Sequence, residues 1–126
     1  MSELKFLVVD DSVTMRRIVI NSLKNLGHQN FIEANDGRDA LDKLAADSTI
    51  NFVITDWNMP NISGLELTKA IRNDEKLNSL PILMVTTRGV KDDIIEALNA
   101  KVNNYVVKPF TPQILKEKIE QILAIA

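Results

Sequence analysis

The sequence predicts an α/β fold, an open, doubly wound parallel sheet of five strands with helices on both faces. Two observations carry this. Five short apolar runs alternate with longer segments of helical period, giving βα five times. The runs end near positions 9, 34, 55, 86 and 107, so successive ends are 25, 21, 31 and 21 residues apart. Each interval holds a crossover helix of the usual right-handed kind. Most runs lack apolar/polar alternation, as strands covered on both faces do. Five strands are too few for a closed (β/α)8 barrel, which leaves an open sheet.

The strand candidates are Phe6–Val9, Phe31–Ala34, Phe52–Thr55, Ile82–Thr86 and Tyr105–Val107. The first helix is expected to bury Met15, Ile18, Val19, Leu23 and Leu26, with Ser12 as N-cap and Gly27 as its C′ stop. The second follows the Asn35-Asp36-Gly37 turn and carries Ala40, Leu41, Leu44 and Ala45. The third, with Leu67, Ala70 and Ile71, follows Ser63-Gly64. The fourth, with Ile94, Ala97 and Leu98, follows Gly89. The last carries Leu115, Ile119 and Ile122, entered by Thr111 as N-cap and Pro112 at the first helical position.

Composition narrows the chemistry. A chain of 126 residues is the size of one domain, taken as 1–126, with no linker or low-complexity stretch. The net charge of −2 without a basic block argues against nucleic acid as a partner. No apolar run approaches a membrane span of about 18 residues, and the amino terminus, with Glu3, Lys5, Asp10 and Asp11, does not read as a secretory signal. A cytoplasmic location is expected. Cysteine is absent, which excludes thiolate chemistry and Cys-type metal sites. With His28 as the single histidine, a metal site here is built from oxygen ligands, which favour a hard cation such as Mg²⁺.

Open parallel sheets bind ligands outside the carboxyl ends of their strands. Four of the five runs end there in a polar group: Asp10-Asp11, Asp56, Thr86-Thr87 and Lys108-Pro109. Strands about 4.8 Å apart bring these side chains into one crevice. Carboxylates at 4–5 Å repel by roughly 3–4 kcal/mol per pair at an effective dielectric of 20. A divalent cation removes that cost. Lys108 adds a second positive charge and Thr86 a hydroxyl donor, so the set suits an incoming phosphoryl group with one carboxylate as nucleophile. Singly, each residue has a plainer reading. Asp10, Asp11 and Ser12 can cap a helix, Asp56 can serve a turn, Thr86 can be a β-branched strand residue, and Lys108 can face solvent. His28 reads as a helix-end or surface residue, and Met15-Arg16-Arg17 as core plus a solvated face. The coincidence at four strand ends favours function.

On these residues the chain resembles a response-regulator receiver domain over essentially its whole length. The matching motifs are Leu7-Val8-Val9-Asp10-Asp11-Ser12, Asp56-Trp57-Asn58-Met59-Pro60 with Ser63-Gly64, Met84-Val85-Thr86, and Tyr105-Val106-Val107-Lys108-Pro109-Phe110. The Asp56–Pro60 stretch and Tyr105 are most similar to the single-domain chemotaxis members. The resemblance implies a flavodoxin-like sheet; its order 2-1-3-4-5 is the one known for that fold and is not read from the spacing. It implies Asp56 as acceptor of a phosphoryl group from a histidine kinase. Mg²⁺ would be held by Asp10, Asp11, Asp56 and the backbone carbonyl of Asn58. Thr86 and Lys108 would bind phosphoryl oxygens, and Tyr105 would be the rotating reporter of the switch. The output surface is expected on the fourth helix, fifth strand and fifth helix, with Lys91 and Lys118 on the helices that flank Tyr105. The implied partners are the kinase, the flagellar motor switch and a phosphatase, with the chain a monomer. The family also has a cis peptide at the position of Lys108-Pro109.

Three positions depart from the family pattern. Thr87 stands where Ala or Gly is usual, and is expected to narrow access to the phosphoryl site. Arg88 replaces an acidic residue. Lys101-Val102-Asn103-Asn104 replaces a Gly-containing loop, with Asn expected to take over glycine's conformational role. A phosphorelay intermediate shares all the strand-end chemistry. A Mg²⁺-dependent phosphatase needs a substrate pocket and lid for which the chain has no room. A flavin module needs a phosphate loop after the first strand, where Asp10-Asp11 would repel phosphate. The protein is therefore expected to catalyse only its own phosphorylation and dephosphorylation.

Overall fold

The computed structural model describes residues 4–87 and 91–125, and of residues 91, 92 and 125 the backbone alone. In chain order the elements are β1 (Lys5–Val9), α1 (Val13–Asn25), β2 (Asn30–Ala34), α2 (Gly37–Ala46), β3 (Phe52–Thr55), α3 (Gly64–Arg72), β4 (Ile82–Thr86), α4 (Lys91–Asn99), β5 (Asn104–Val107) and α5 (Pro112–Ile125). All strand pairs are parallel, in the order β2-β1-β3-β4-β5.

The pleat divides the apolar side chains between two cores. Leu7, Val9, Val53, Ile82 and Met84 point to the side covered by α2, α3 and α4, where Leu44, Leu67, Ile71 and Ala97 meet them. Their neighbours Phe6, Val8, Phe52, Ile54, Leu83 and Val85 point to the side covered by α1 and α5. The central strands β1, β3 and β4 are thus apolar on both faces. The edge strands β2 and β5 are less covered, and Glu33 and Val107 lie exposed there.

Helix ends follow the expected chemistry. Ser12 caps α1 by accepting from the Met15 N–H. Gly27 takes φ +97°, its N–H donates to Lys24 O and the His28 N–H to Leu23 O, the paired bonds of a Schellman stop. His28 is a helix-end residue whose ring meets Phe6 edge-on at 4.8 Å. Thr111 Oγ1 accepts from the Ile114 N–H at the start of α5.

Three helical positions differ from expectation. Ile18 is exposed and Ile20 buried in its place, because α1 must meet α5 as well as the sheet; Val19, Ile20 and Leu23 share one cluster with Leu115, Ile119 and Ile122. Ala45 and Leu98 are also exposed, so α2 and α4 each bury a narrower stripe around Ala40 and Leu44 and around Ala97. The loop before β5 differs too. The left-handed residue there is Lys101 (φ +74°), not an asparagine. Asn103 works through its side chain, whose Oδ1 accepts from the Ile82 N–H at 2.7 Å and from Arg72 Nη2 at 2.9 Å.

Candidate functional site

The chain leaves β1 toward β2 on one side and reaches β3 on the other, so strand order reverses at β1. A crevice opens at the carboxyl ends of β1 and β3. Register brings the two ends level: Val9 pairs with Thr55, and the Asp56 N–H donates to Val9 O at 2.9 Å. Asp10 and Asp56 therefore follow adjacent strands at the same height.

The structure brings together the three expected carboxylates. One oxygen each from Asp10, Asp11 and Asp56 lies within 4.8 Å of the others. Asp10 is buried and Asp11 exposed, with Asp56 between them. Asp10 is held at both oxygens: Oδ1 accepts from the Ser12 N–H at 2.9 Å, and Oδ2 from Lys108 Nζ at 3.2 Å. The same ammonium sits 3.4 Å from Asp56 Oδ1, which also accepts from the Trp57 N–H at 2.8 Å. Burial raises the Asp56 carboxyl above its ordinary range; Lys108 opposes the rise, Asp10 adds to it, and the Trp57 N–H opposes it.

Asp56 is fixed from behind by a close backbone approach. A Cβ added at Gly64 would fall 1.9 Å from the Asp56 carbonyl oxygen, so a side chain there is incompatible with this packing. The Gly64 N–H donates to Trp57 O at 2.8 Å, and Ser63 with Glu66 forms a reciprocal capping box at the start of α3. The intervening loop is tied to the other side of the crevice. Asp36 caps α2 and accepts from Asn61 Nδ2 at 2.8 Å, while the Gly37 N–H donates to Ile62 O at 3.2 Å. Asn58 lies on this loop, and with Asp11, Trp57, Met59, Pro60 and Ser63 it lines an open groove of about 510 Å³.

Thr86 closes β4 and is buried; the Lys108 N–H donates to its carbonyl at 2.8 Å, so the two residues are joined across adjacent strands. The Lys108-Pro109 peptide is cis, as the resemblance implied. Thr87 is exposed and lines a second groove with Met15, Ile18, Lys108, Pro109 and Phe110. Tyr105 on β5 is half-buried, with Lys118 Nζ 5.7 Å from its ring centre. The Lys91 side chain, Arg88 and Gly89 lie outside the described residues.

The sequence reading missed Arg16. Its Nη1 donates to the Asp10 carbonyl at 2.6 Å and its Nε to Glu33 Oε1 at 3.0 Å. Nothing in the Met15-Arg16-Arg17 string separates this arginine from its neighbour. Only the helix phase against β1 and β2 does so.

Residues 6–120 match the response regulator receiver domain family. The chain belongs to that family. Among curated relatives, a Campylobacter jejuni "Chemotaxis protein CheY homolog" is 55% identical over 95% of this chain and 92% of its own length. "Chemotaxis protein CheY1" of Helicobacter pylori is 53% identical over 95% of this chain and 97% of its own. Among solved structures, Vibrio cholerae chemotaxis protein CheY4 superimposes with a TM-score of 0.87 at 33% identity, covering 96% of this chain and 99% of that one. Receiver domains are signalling regulators that bind Mg²⁺ at an acidic pocket, and the receiver chain here has the matching aspartate cluster. A hard cation taking carboxylate oxygens fits this donor set. Among the described residues, no helix is long and apolar enough to cross a membrane.

Proposed function

We propose that this receiver domain, residues 1–126, is a chemotaxis switch. Asp56 accepts a phosphoryl group from a histidine kinase, and the phosphorylated form binds the flagellar motor switch. The observation that carries the reading is one ammonium, Lys108, lying against both Asp10 and Asp56 in a crevice with a third carboxylate. Relatives at 53–55% identity that carry chemotaxis names support the chemotaxis output over a relay role.

An Asp56 carboxylate oxygen attacks the phosphorus of a phosphohistidine. The O–P bond forms as the P–N bond breaks, and the electron pair leaves on the imidazole nitrogen, which takes up a proton. The Trp57 N–H and Lys108 orient the attacking carboxylate, and the Gly64 contact keeps its backbone from retreating. Asp10, Asp11, Asp56 and the Asn58 carbonyl would hold Mg²⁺, which when bound offsets the negative charge of carboxylates and phosphoryl group. Thr86 and Lys108 then bind phosphoryl oxygens. Tyr105 relays the change to the surface formed by α4, β5 and α5, with Lys91 and Lys118 on that surface. The protein acts as a cytoplasmic monomer, reset by its own hydrolysis and by a phosphatase.

Intact-mass measurement after incubation with acetyl phosphate tests the reading. One phosphoryl group should be gained with Mg²⁺ and none with a chelator. Equal labelling in both, or none in either, rejects it.

A further inference from the structure

We infer that Arg16 is a positioning residue for the metal site, holding the Asp10 carbonyl and with it the peptide that carries the Asp11 carboxylate beside that of Asp10; this rests on the Mg²⁺ reading above. Arg16 is the fourth residue of α1, where the first turn closes, and its side chain is only 13% exposed. Its guanidinium spans two elements, donating from Nη1 to the carbonyl of Asp10 at 2.6 Å and from Nε to Glu33 on the edge strand β2 at 3.0 Å. The remaining backbone and side-chain contacts of Asp10 are also fixed. Its N–H donates to Ala34 O at 3.1 Å, Oδ1 faces the Ser12 N–H, and Oδ2 faces Lys108. The carbonyl marks where the chain turns from strand into loop. A rigid fork holding that carbonyl sets the direction in which the next bonds, including Cα–Cβ of Asp11, leave the strand.

Charge and position predict opposite signs here. A cation beside a cation site repels Mg²⁺, so if Arg16 mattered by charge alone, its removal would tighten binding. If it matters by holding the Asp10 carbonyl, its removal loosens the carboxylate pair and weakens binding. Lysine keeps the charge but has no planar fork with which to reach Asp10 and Glu33 together.

Mg²⁺ binding should be titrated by the fluorescence of Trp57, the sole tryptophan, for the parent, Arg16→Lys, Arg16→Met and Glu33→Gln, with thermal unfolding measured in chelator. Lys5→Met is the control. It breaks the Lys5–Asp47 pair at the opposite end of β1 and should cost stability alone. Both Arg16 variants should bind Mg²⁺ about 10-fold more weakly, the usual scale for a group supporting a metal ligand. Glu33→Gln should fall between them and the parent. Unchanged affinity in Arg16→Lys, or tighter binding in Arg16→Met, overturns the inference. So does equal weakening in Lys5→Met, which would make the effect one of stability. If Arg16→Met does not fold, Arg16→Lys and Glu33→Gln decide. A parent that shows no Mg²⁺ response rejects the metal reading itself, whereas a responsive parent with unchanged variants rejects only the role of Arg16.

Discussion

Lys108 Nζ lies 3.2 Å from Asp10 Oδ2 and 3.4 Å from Asp56 Oδ1, so one ammonium bridges two carboxylates that succeed neighbouring strands. The lysine belongs to the end of β5, beyond β3 and β4 from β1, and its side chain reaches back across the mouth of β4. The site is therefore assembled by sheet order rather than by any local motif.

The role proposed for Lys108 can be tested apart from metal binding. Lys108→Ala should retain Mg²⁺ binding, since no proposed ligand is lost and a competing cation is removed. The same variant should lose most of the partner affinity gained on activation, because its ammonium no longer meets the phosphoryl oxygens. Mg²⁺ titration and partner binding with beryllofluoride, a phosphoryl mimic, measure the two separately. Normal activated binding by the variant would remove the role of Lys108.

Asp56→Asn should lose the Mg²⁺-dependent mass gain while staying folded. It should also be more heat-stable than the parent in chelator at neutral pH. Burial raises the Asp56 carboxyl, so the folded state binds its proton more tightly than the unfolded state. That contribution is fully present below the ordinary carboxylate range and is lost as pH rises through the raised value, leaving a costly charge at neutral pH. The stability advantage of the asparagine variant should therefore shrink as pH falls toward the carboxylate range. An advantage independent of pH would assign it to another cause.

Much of this site is legible in the sequence because its residues terminate apolar runs. Asp10, Asp56, Thr86 and Lys108 each stand at, or one position past, the end of such a run. The contacts that hold them are less legible. The Arg16 fork depends on helix phase, and the exposure of Ile18 shows that apolar spacing alone misplaces that phase. The Gly64 approach to the Asp56 carbonyl and the Asp36–Asn61 bond join separate segments of the chain, and no spacing rule reports them. Before β5, a left-handed Lys101 and the side-chain bonds of Asn103 stand in for glycine, a solution that residue preferences do not rank first.

The metal can be tested through Asp11, the exposed member of the carboxylate group. Asp11→Ala should weaken the Mg²⁺ response of Trp57 by about 10-fold or more, the scale at which supporting metal contacts are already felt. Trp57 is a suitable reporter because it adjoins Asp56 and lines the groove with Asp11. An unchanged titration would place the metal elsewhere.

The far end of the sheet offers a pH test independent of the site. Hydrogen bonds from Lys5 and Thr49 lower the Asp47 carboxyl to about 2. A depressed carboxyl stabilises the fold above its ordinary value and loses that contribution as pH falls through the folded value. Asp47→Asn should therefore be less stable than the parent near neutrality, with the two converging between about pH 4 and pH 2. Urea unfolding across that range measures it, and a constant difference would mean that the Lys5 pair is not the source.

The switch itself is tested at Thr86. Thr86 is joined to Lys108 through its carbonyl, and in the proposed switch the new phosphoryl oxygens attract its hydroxyl. In the proposed switch, movement of that side chain is relayed to Tyr105, which is half-buried on β5 with Lys118 near its ring. A phosphoryl group shifts such an equilibrium only by its differential affinity for the two states. Coupling of about 1–3 kcal/mol gives roughly 5–150-fold tighter partner binding, and the partner must favour the phosphorylated form by the same factor. Binding of a motor-switch peptide should be measured with and without beryllofluoride, for the parent and for Thr86→Ala. The parent should gain affinity within that range, and Thr86→Ala should lose most of the gain while keeping its basal affinity. Equal affinity in all four cases would remove the switch mechanism even if Asp56 proved to be phosphorylated. An intact gain in Thr86→Ala would instead route the coupling through Lys108.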